Sequence, residues 1–284
     1  MGHQITALYT YPIKSCGALS HAEMTLNARG LKWDRHWMIV EADGKAGGMF
    51  ITGRDMPRMA LIQPSLGDEV MTLTAPNMPA ITVPMEQDVR ARQKQVKVWS
   101  DHVQAIDEGD IVAQWLSDFL KRKVRLVAIA DDFSRIVDTE FVDKPTETGF
   151  SDGYPLLLLS EESLGDLNQR LNAKGEPSVP MSRFRTNVVV SGGQPFDEDT
   201  WRHAYLGDVP FDIVKPCNRC QMVTVNWVTG EIHNPKEPTA TLASFRRWNG
   251  GVIFGQNIVH RGLGTLRVGD SVRVEVAADG WIEA

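Results

Sequence analysis

Cysteine is scarce in this chain, and long apolar runs are missing. Only three of the 284 residues are cysteine, and a small, odd number argues against a disulfide framework and for a reducing compartment. The longest apolar candidate, residues 154–159, is far shorter than the roughly 20 residues of a membrane-spanning helix. No basic region followed by an apolar region is found at the N-terminus, so no signal peptide is predicted. We therefore expect a cytoplasmic protein without a membrane span.

An excess of basic charge is also missing. The net charge at pH 7 is −6, so no electrostatic case exists for binding nucleic acid or an anionic membrane. Gly192-Gly193 and Gly250-Gly251 have neither the Walker nor the dinucleotide-binding spacing. A Gly-x-Ser-x-Gly nucleophile elbow is absent as well. The cysteines and individual basic residues remain as the candidates for chemistry.

What the sequence does contain is a series of short strand patterns broken by glycine and proline. Strands are predicted at 5–12, 37–41, 70–74, 81–83, 95–99, 156–159, 187–191, 211–214, 222–228, 265–268 and 271–276. The turn at 268–270 is predicted to join the last two strands as a hairpin. Apolar residues at helical spacing predict a helix over 111–121, and Ser160 before two acidic residues predicts the start of a second helix. The predicted fold class is mixed α+β and β-rich, with two β-barrel-like portions and a few helices.

Two of the three cysteines form the sequence Cys217-Asn218-Arg219-Cys220. A redox dithiol of the thioredoxin type should open a helix, whereas strand patterns flank this pair on both sides. A structural zinc site needs four ligands, and Cys16 with seven scattered histidines offers no second pair. Two interpretations stay open on the residues alone: one reactive thiolate beside Arg219, or two buried thiols that pack as small hydrophobes.

Several basic residues stand in apolar surroundings near predicted strand ends. They are Lys14, Arg35, Arg185 and Arg219. Any one of them could simply face water or pair with a carboxylate. Four together are better explained by a shared anionic ligand, because arginine binds phosphate in a bidentate manner and lysine offers a point charge.

Asp152 lies directly before a predicted buried strand. It could cap a turn, or it could lie at the mouth of a site. His36 and His233 are weak candidates for acid–base chemistry, because nothing in their spacing ties them to a partner.

These motifs resemble a known family. The segments 11–16 and 34–37 resemble the N-terminal β-barrel domain that precedes a MOSC domain. The segments 151–155, 184–187, 217–220, 236–238, 254–257 and 268–270 resemble the MOSC domain itself. The resemblance covers nearly the whole chain and is strongest to the branch represented by the mitochondrial amidoxime-reducing component and its bacterial counterparts. It implies an N-terminal MOSC-associated barrel domain over 1–125, which would include the helix, and a MOSC domain over 126–284.

The resemblance implies a molybdenum cofactor, in which a pterin dithiolene holds the metal. Cys220 matches the family's metal-binding cysteine. The residues that match the family's pterin and phosphate contacts are Lys14, Ser15, Arg35, Arg185, Asn187, Asn218 and Arg219, and those that match the segment near the metal are Ser151, Asp152 and Gly153. A soft thiolate suits a metal already bound by sulfur, and a cation beside it favours its ionised form.

The implied activity is the reduction of N-hydroxylated compounds, such as amidoximes, hydroxamic acids and N-hydroxylated bases. Cys220 would then be catalytic as the metal ligand, and Asp152 would assist proton movement. The chain has no cysteine cluster for an iron–sulfur domain, so a separate donor of the ferredoxin, flavodoxin or cytochrome b5 type with its reductase is expected. The alternative is a molybdenum cofactor or sulfur carrier without reductase turnover. The reductase and the carrier differ in whether the metal-loaded protein turns over substrate.

Overall fold

The structure, a computed structural model, describes residues 2–43, 47–86, 93–130 and 132–282. The helices within these ranges are α1 Asp110–Leu120, α2 Glu161–Ala173 and α3 Thr239–Ala243. The strands are β1 His3–Thr10, β2 Leu19–His21, β3 Glu23–Asn27, β4 Gly30–Leu31, β5 Trp37–Glu41, β6 Gln63–Leu66, β7 Val70–Thr74, β8 Ile81–Pro84, β9 Gln93–Val98, β10 Asp101–Asp107, β11 Val124–Ile129, β12 Leu156–Ser160, β13 Val188–Ser191, β14 Trp201–Leu206, β15 Val209–Asn218, β16 Arg247–Trp248, β17 Gly251–His260, β18 Thr265–Arg267 and β19 Ser271–Ala277. The β-rich mixed fold predicted from the sequence is confirmed.

A closed barrel forms the larger part of the fold. Its sheet has the strand order β12-β13-β1-β19-β14-β15-β17-β16, and β12 also pairs with β17. That additional pairing closes seven strands into a ring. Alternate side chains point inward and bury an apolar core that includes Ile5, Leu158, Val190, Phe211 and Ile258. Closure removes the exposed edges of the sheet.

A second layer of structure is built mostly from the first half of the chain. Strands β5, β11, β10 and β9 form one sheet, and β6, β7 and β8 form a three-stranded meander. Helix α1 lies over them and buries Trp115, Leu116 and Phe119 in the same core as Trp37 and Met71. The apolar spacing that predicted this helix therefore corresponds to its buried face.

The two barrel-like portions share strands. β1 pairs with β13 and β19 of the closed barrel, and β18 pairs with β3. The early segment 3–27 is thus part of the sheet system of the later chain. The predicted boundary at residue 125 stays a prediction. The loops that connect the shared strands carry Lys14, Ser15 and Arg35, so they bring early residues to the mouth of the barrel.

Helix α2 begins where the sequence predicts. The Ser160 hydroxyl accepts a hydrogen bond from the Ser163 amide at 3.1 Å, and Glu161 and Glu162 occupy the first turn. A serine cap and early acidic residues satisfy free amides and complement the helix dipole. Helix, cap and preceding strand β12 therefore follow from local sequence. None of the helices within the described ranges combines the length and hydrophobicity needed to cross a bilayer.

The strand predicted over 222–228 is wrong. A 3-10 turn, Gln221–Thr224, occupies this segment instead, and only Val225 forms an isolated bridge, with Ile232. The Thr224 hydroxyl donates to the Gln221 carbonyl at 2.8 Å and closes the turn. Arg183 binds the carbonyl of Thr224 at 2.9 Å, which removes it from any strand ladder. Val223 and Thr224 are buried within this turn and Val225 is buried directly after it, whereas Val228 is exposed.

Two further local predictions need correction. β18 and β19 do not pair with each other, because β18 pairs with β3 while β19 pairs with β1 and β14. The turn at 268–270 therefore moves the chain from one sheet to another. Strand β15 also does not stop at residue 214, where the predicted strand ends. It continues to Asn218 through a shift in its register against β17, and an irregular ladder of this kind tolerates the missing proline amide.

Candidate cofactor site

A cleft enclosing about 930 Å³ opens at the mouth of the barrel. Every site residue predicted from the sequence lines it: Lys14, Ser15, Arg35, Ser151, Asp152, Gly153, Arg185, Asn187, Asn218, Arg219 and Cys220. His36 and His233 are not among its lining residues. The tertiary structure therefore brings together segments that lie up to about 200 residues apart in the sequence, near 14, 35, 152, 185 and 220.

Hydrogen bonds between loops place the first two cations. The Lys14 amide donates to the Trp37 carbonyl at 2.8 Å, and the Arg35 amide donates to the Tyr11 carbonyl at 2.9 Å. The Phe150 amide donates to the Arg35 carbonyl at 2.9 Å, so the loop before Ser151 is tied to the same framework. The three loops are thus joined by backbone hydrogen bonds and together form the floor of the cleft.

Lys14 and Asp152 form an ion pair across this floor. Lys14 Nζ lies 2.6 Å from Asp152 Oδ1 and 2.7 Å from the Phe150 carbonyl. The lysine side chain is 6% exposed, whereas that of the aspartate is 67% exposed. Burial lowers the pKa of Lys14, and Asp152 opposes that shift. Partial desolvation opposes ionisation of Asp152, but the charge and hydrogen bond of Lys14 outweigh it and hold the pKa of Asp152 well below its usual range.

Arg35 is oriented by its neighbours. Its guanidinium pairs with the buried Asp34, donates to Asn187 Oδ1 at 3.0 Å and stacks over the ring of Tyr11 at 4.4 Å. Asn187 Oδ1 also accepts a hydrogen bond from the Leu157 amide at 3.2 Å, and Asn187 Nδ2 donates one to the Tyr9 carbonyl. Both ends of the Asn187 amide are thus used inside the protein. In this structure Asn187 holds Arg35 and two strands in place.

Arg185 offers an unused donor. Its guanidinium lies between Tyr11 and Trp227, at 4.1 and 4.5 Å from their ring centroids, and donates through Nη1 to the Cys16 carbonyl at 2.7 Å. Its Nη2 is buried and has no hydrogen-bond partner in the described part of the chain. Burial, with the nearby charge of Arg35, lowers the pKa of Arg185 to about 10, so it stays cationic at neutral pH. An unpaired buried donor is costly unless a ligand satisfies it.

Arg219 binds backbone carbonyls of two other segments. It donates to the Phe254 carbonyl at 2.7 Å through Nε and to the Phe184 carbonyl at 3.0 Å through Nη1. These bonds fasten the cysteine turn to β17 and to the segment before Arg185. Asn218 packs against Gly251, where a Cβ would lie 2.4 Å from Asn218 Oδ1, so a larger residue at position 251 would require the Asn218 side chain to move.

The two thiols of the pair differ in environment. Cys220 is exposed and precedes the 3-10 turn, whereas Cys217 is partly buried. Burial raises the pKa of the Cys217 thiol, and Arg219 only partly offsets this. The third cysteine, Cys16, is fully buried, and burial raises its pKa to about 12. Cys220 is therefore the most accessible thiol of the three.

The backbone is strained at several site residues. Ser15, Arg35 and Arg185 adopt φ angles of 66°, 46° and 55°, and Trp99 at the rim adopts 55°. Residues other than glycine enter this left-handed region at a cost that the surrounding structure must offset, and they cluster at functional sites. Here the strain fixes the direction in which the side chains enter the cleft.

Arg135 was missed by the sequence analysis. Its buried guanidinium donates to the carbonyls of Gly149 at 3.1 Å, Ser151 at 2.5 Å and Asp152 at 3.1 Å, and it pairs with Asp101 at 2.6 Å. It thereby shapes the loop that presents Asp152 to the cleft. Arg135 stands between apolar residues of a polar stretch, which is the same signal that singled out Arg185.

The rim of the cleft holds further residues that the sequence analysis did not single out. They are Thr52, Arg54, Arg183, Phe184 and Met222, with Trp99 beside them through its hydrogen bond to Asp152. Thr52, Arg54 and Trp99 come from turns between short strands, where no local pattern marks them. Only the fold places them beside the cysteine turn.

The residues present fit an anionic cofactor with a sulfur-ligated metal. Among the residues that the structure describes, six cationic side chains and one acidic side chain, that of Asp152, line the cleft. The free donor of Arg185 and the exposed thiol of Cys220 provide an anion contact and a soft ligand. Within the described ranges, no group of three or more His, Cys, Asp or Glu side chains is placed to hold a metal ion by itself. A metal held here by protein would need ligands from a bound group as well.

Two protein-family signatures match the chain. Residues 2–123 match the MOSC N-terminal beta barrel domain, and residues 145–273 match the MOSC domain. Together they cover both barrel-like portions of the fold. The resemblance drawn from the motifs is confirmed.

Curated proteins match over nearly the whole chain. The mitochondrial amidoxime-reducing component 1 of Mus musculus is 36% identical over 285 residues, which cover 94% of this chain and 81% of that protein. The mitochondrial amidoxime reducing component 2 of Bos taurus is 33% identical, with 94% and 82% covered. A molybdenum cofactor sulfurase of Oryza sativa subsp. japonica is 30% identical over 88% of this chain but only 32% of its own length.

Proposed function

The chain belongs to the family of MOSC-domain proteins that includes the mitochondrial amidoxime-reducing components, and from that premise we propose that it is a molybdenum-cofactor-dependent reductase of N-hydroxylated compounds. Its substrates would be amidoximes, hydroxamic acids and N-hydroxylated bases, reduced to the amine or amidine. The observation that carries the proposal is the cleft, in which an exposed Cys220 lies among six cationic side chains. The proposed setting is the cytoplasm.

The roles of the chain's residues follow from their contacts. Cys220 would bind the metal through its thiolate. Arg185 would donate to an anionic group of the cofactor through its free Nη2, and Lys14 and Ser15 would contact the same group from the opposite loop. Arg35 and Arg219 would act mainly by charge, because their guanidinium groups already bind protein acceptors.

When bound, the molybdenum cofactor would supply the two-electron chemistry that breaks the N–O bond, with two protons taken up and water released. The protein positions this chemistry and sets its electrostatic surroundings. Asp152 is a carboxylate at neutral pH because Lys14 lowers its pKa. It would therefore accept a hydrogen bond from substrate or water, and its part in proton movement stays a prediction. Electrons would come from a separate donor protein of the ferredoxin, flavodoxin or cytochrome b5 type.

A carrier of molybdenum cofactor or sulfur is the second candidate. The similarity to the rice molybdenum cofactor sulfurase favours it, since that match covers 88% of this chain. On this view Cys220 would bind finished cofactor or carry sulfur, and no substrate would be reduced.

The experiment starts from protein purified from a molybdenum-replete host. Molybdenum is measured by mass spectrometry, and benzamidoxime reduction is assayed with a reduced viologen as donor. We expect near-stoichiometric metal and formation of benzamidine. Stoichiometric metal without turnover of any N-hydroxylated substrate would favour the carrier, and protein free of molybdenum would refute both the reductase and the carrier of finished cofactor.

Two matched substitutions test whether Cys220 is the metal ligand. Cys220→Ala should remove both the metal and the activity, whereas Cys217→Ala should retain most of each, because its thiol is partly buried and has a raised pKa. Equal losses in the two variants would contradict a single metal ligand at Cys220.

A further inference from the structure

Among the described residues, one cation at the cleft mouth differs from the others in that its side chain has neither an ion pair nor a hydrogen bond. Lys14 pairs with Asp152, Arg35 pairs with Asp34, and the guanidinium groups of the other deep arginines donate to backbone carbonyls. Among the described residues, Arg54 has neither an ion pair nor a side-chain hydrogen bond, and it is partly exposed. The nearest acid on the same loop, Asp55, does not pair with Arg54 but accepts a hydrogen bond from the Thr52 hydroxyl at 2.8 Å.

Arg54 is nevertheless held in a defined position. Its guanidinium lies over the indole ring of Trp99, 4.9 Å from the centroid. Trp99 in turn donates to Asp152 at 3.2 Å and packs edge-on against Phe50 at 4.9 Å. Trp99 adopts a left-handed backbone conformation, with a φ angle of 55°. The contact between Arg54 and the ring orients the guanidinium and leaves its N–H groups free for a ligand.

The loop that carries Arg54 lies beside the proposed metal ligand. A Cβ at Gly53 would lie 3.0 Å from Met222 Cε and 3.6 Å from the Trp227 ring, so the backbone at residue 53 packs closely against both side chains. Met222 belongs to the 3-10 turn that follows Cys220. Arg54, Trp99 and Asp152 therefore surround the entrance to the space in front of the thiol.

We propose that Arg54, oriented by Trp99, is a specificity residue that selects N-hydroxylated substrates carrying a second, anionic group such as a carboxylate. This inference rests on the proposed reductase function. The N–OH end of such a substrate enters toward Cys220, and its carboxylate remains at the mouth, where Arg54 binds it with two parallel hydrogen bonds. Asp152 is already engaged by Lys14 and Trp99, so its charge is largely compensated at this point.

The test compares benzamidoxime with 4-carboxybenzamidoxime, using a reduced viologen so that no donor protein is present. We expect the wild-type protein to favour the carboxylated substrate in kcat/KM, mainly through KM. In Arg54→Gln this preference should fall by about five- to tenfold, as for the loss of a charge-assisted hydrogen bond at a partly exposed site. Arg54→Glu should reverse it.

Arg58→Gln is the matched control. Arg58 is exposed, lies outside the cleft and stacks over Phe119 at 4.4 Å, so its substitution should leave the substrate preference as in wild type. Trp99→Leu should lower the preference as Arg54→Gln does, because it removes the ring that orients Arg54 and leaves the charge of Arg54 in place. An unchanged preference in Arg54→Gln overturns the proposal.

Binding measurements separate this inference from the proposed function. The affinities of benzamidine and 4-carboxybenzamidine for the purified protein are measured by calorimetry, which needs no turnover. A carboxylate preference that depends on Arg54 in a protein without reductase activity would support the subsite and refute the reductase. An effect of Arg54→Gln seen only with a protein donor would instead make Arg54 a docking residue, and loss of molybdenum in this variant would make it a cofactor contact. Either result would overturn the proposal.

Discussion

Lys14 Nζ donates a hydrogen bond to Asp152 at 2.6 Å although 138 residues separate the two in the sequence. The lysine is buried and the aspartate is mostly exposed. Asp152 offsets part of the cost of burying the Lys14 charge, and Lys14 keeps Asp152 ionised. The pair therefore fixes the charge state of the cleft floor.

Asp152→Asn should make retention of the cofactor dependent on pH. Without the carboxylate, burial lowers the pKa of Lys14 further, so the lysine loses its charge at a lower pH than in the wild type. We expect the variant to lose molybdenum at a lower pH than the wild type when the pH is raised above neutral. Metal content after buffer exchange at each pH provides the measurement. Lys14→Met should lose molybdenum at all of these pH values, and equal retention in D152N and wild type would contradict the argument.

Arg135→Met should destabilise the protein and disorder the loop that presents Asp152. The substitution leaves the carbonyls of Gly149, Ser151 and Asp152 without their donor. We expect a loss of about 2–4 kcal/mol in the free energy of unfolding, measured with urea. Asp101→Asn removes only the partly exposed partner of Arg135 and should cost less than about 1 kcal/mol. Similar costs for the two variants would show that the carbonyl contacts contribute little.

The three thiols should react with iodoacetamide in the order of their exposure. In cofactor-free protein we expect Cys220 to be modified first, Cys217 slowly, and Cys16 only after unfolding, because burial raises the pKa of the last two. Peptide mapping by mass spectrometry reports the order. Protein loaded with molybdenum should be protected at Cys220 specifically; modification of Cys220 at the same rate in both forms would argue against metal binding there.

Glu198 should make the protein less stable as the pH rises. This buried carboxyl group accepts hydrogen bonds from the Ser160 amide and hydroxyl at 3.1 and 2.9 Å, but burial raises its pKa above the value in the unfolded chain. Its contribution to stability is therefore complete below the unfolded pKa of about 4.3 and declines as the pH rises through the folded pKa. Glu198→Gln should flatten this part of the profile of urea midpoint against pH. A variant profile that runs parallel to that of the wild type would assign the pH dependence to other groups.

Local elements were largely predictable because their causes are local. The Ser160 cap, the apolar face of α1 and the strands at 37–41 and 188–191 all appear where the sequence indicated them. Where a distant group intervened, the prediction was wrong. Residues 221–224 form a 3-10 turn because Arg183, about 40 residues away, binds their carbonyls, and no pattern within the segment records that contact.

The site was predictable in part for a similar reason. The cations and the cysteine pair stood out by residue type and by their resemblance to a known family, and all of them line the cleft. The partners that orient them did not stand out. Arg135 acts on backbone carbonyls, which carry no sequence signal, and Arg54 meets Trp99 only because two turns between short strands face each other.

The sequence by itself determined which chemical groups are present, where most strands and helices begin, and which family the chain belongs to. The tertiary structure alone decided that Arg219 binds the carbonyls of Phe184 and Phe254 and that Asp152 is held by Lys14. It also decided that Arg54 has no ion pair or side-chain hydrogen bond among the described residues. The reason is physical. Side-chain identity and backbone preference act over a few residues, whereas burial, pairing and accessibility depend on groups that only closure of the barrel brings into contact.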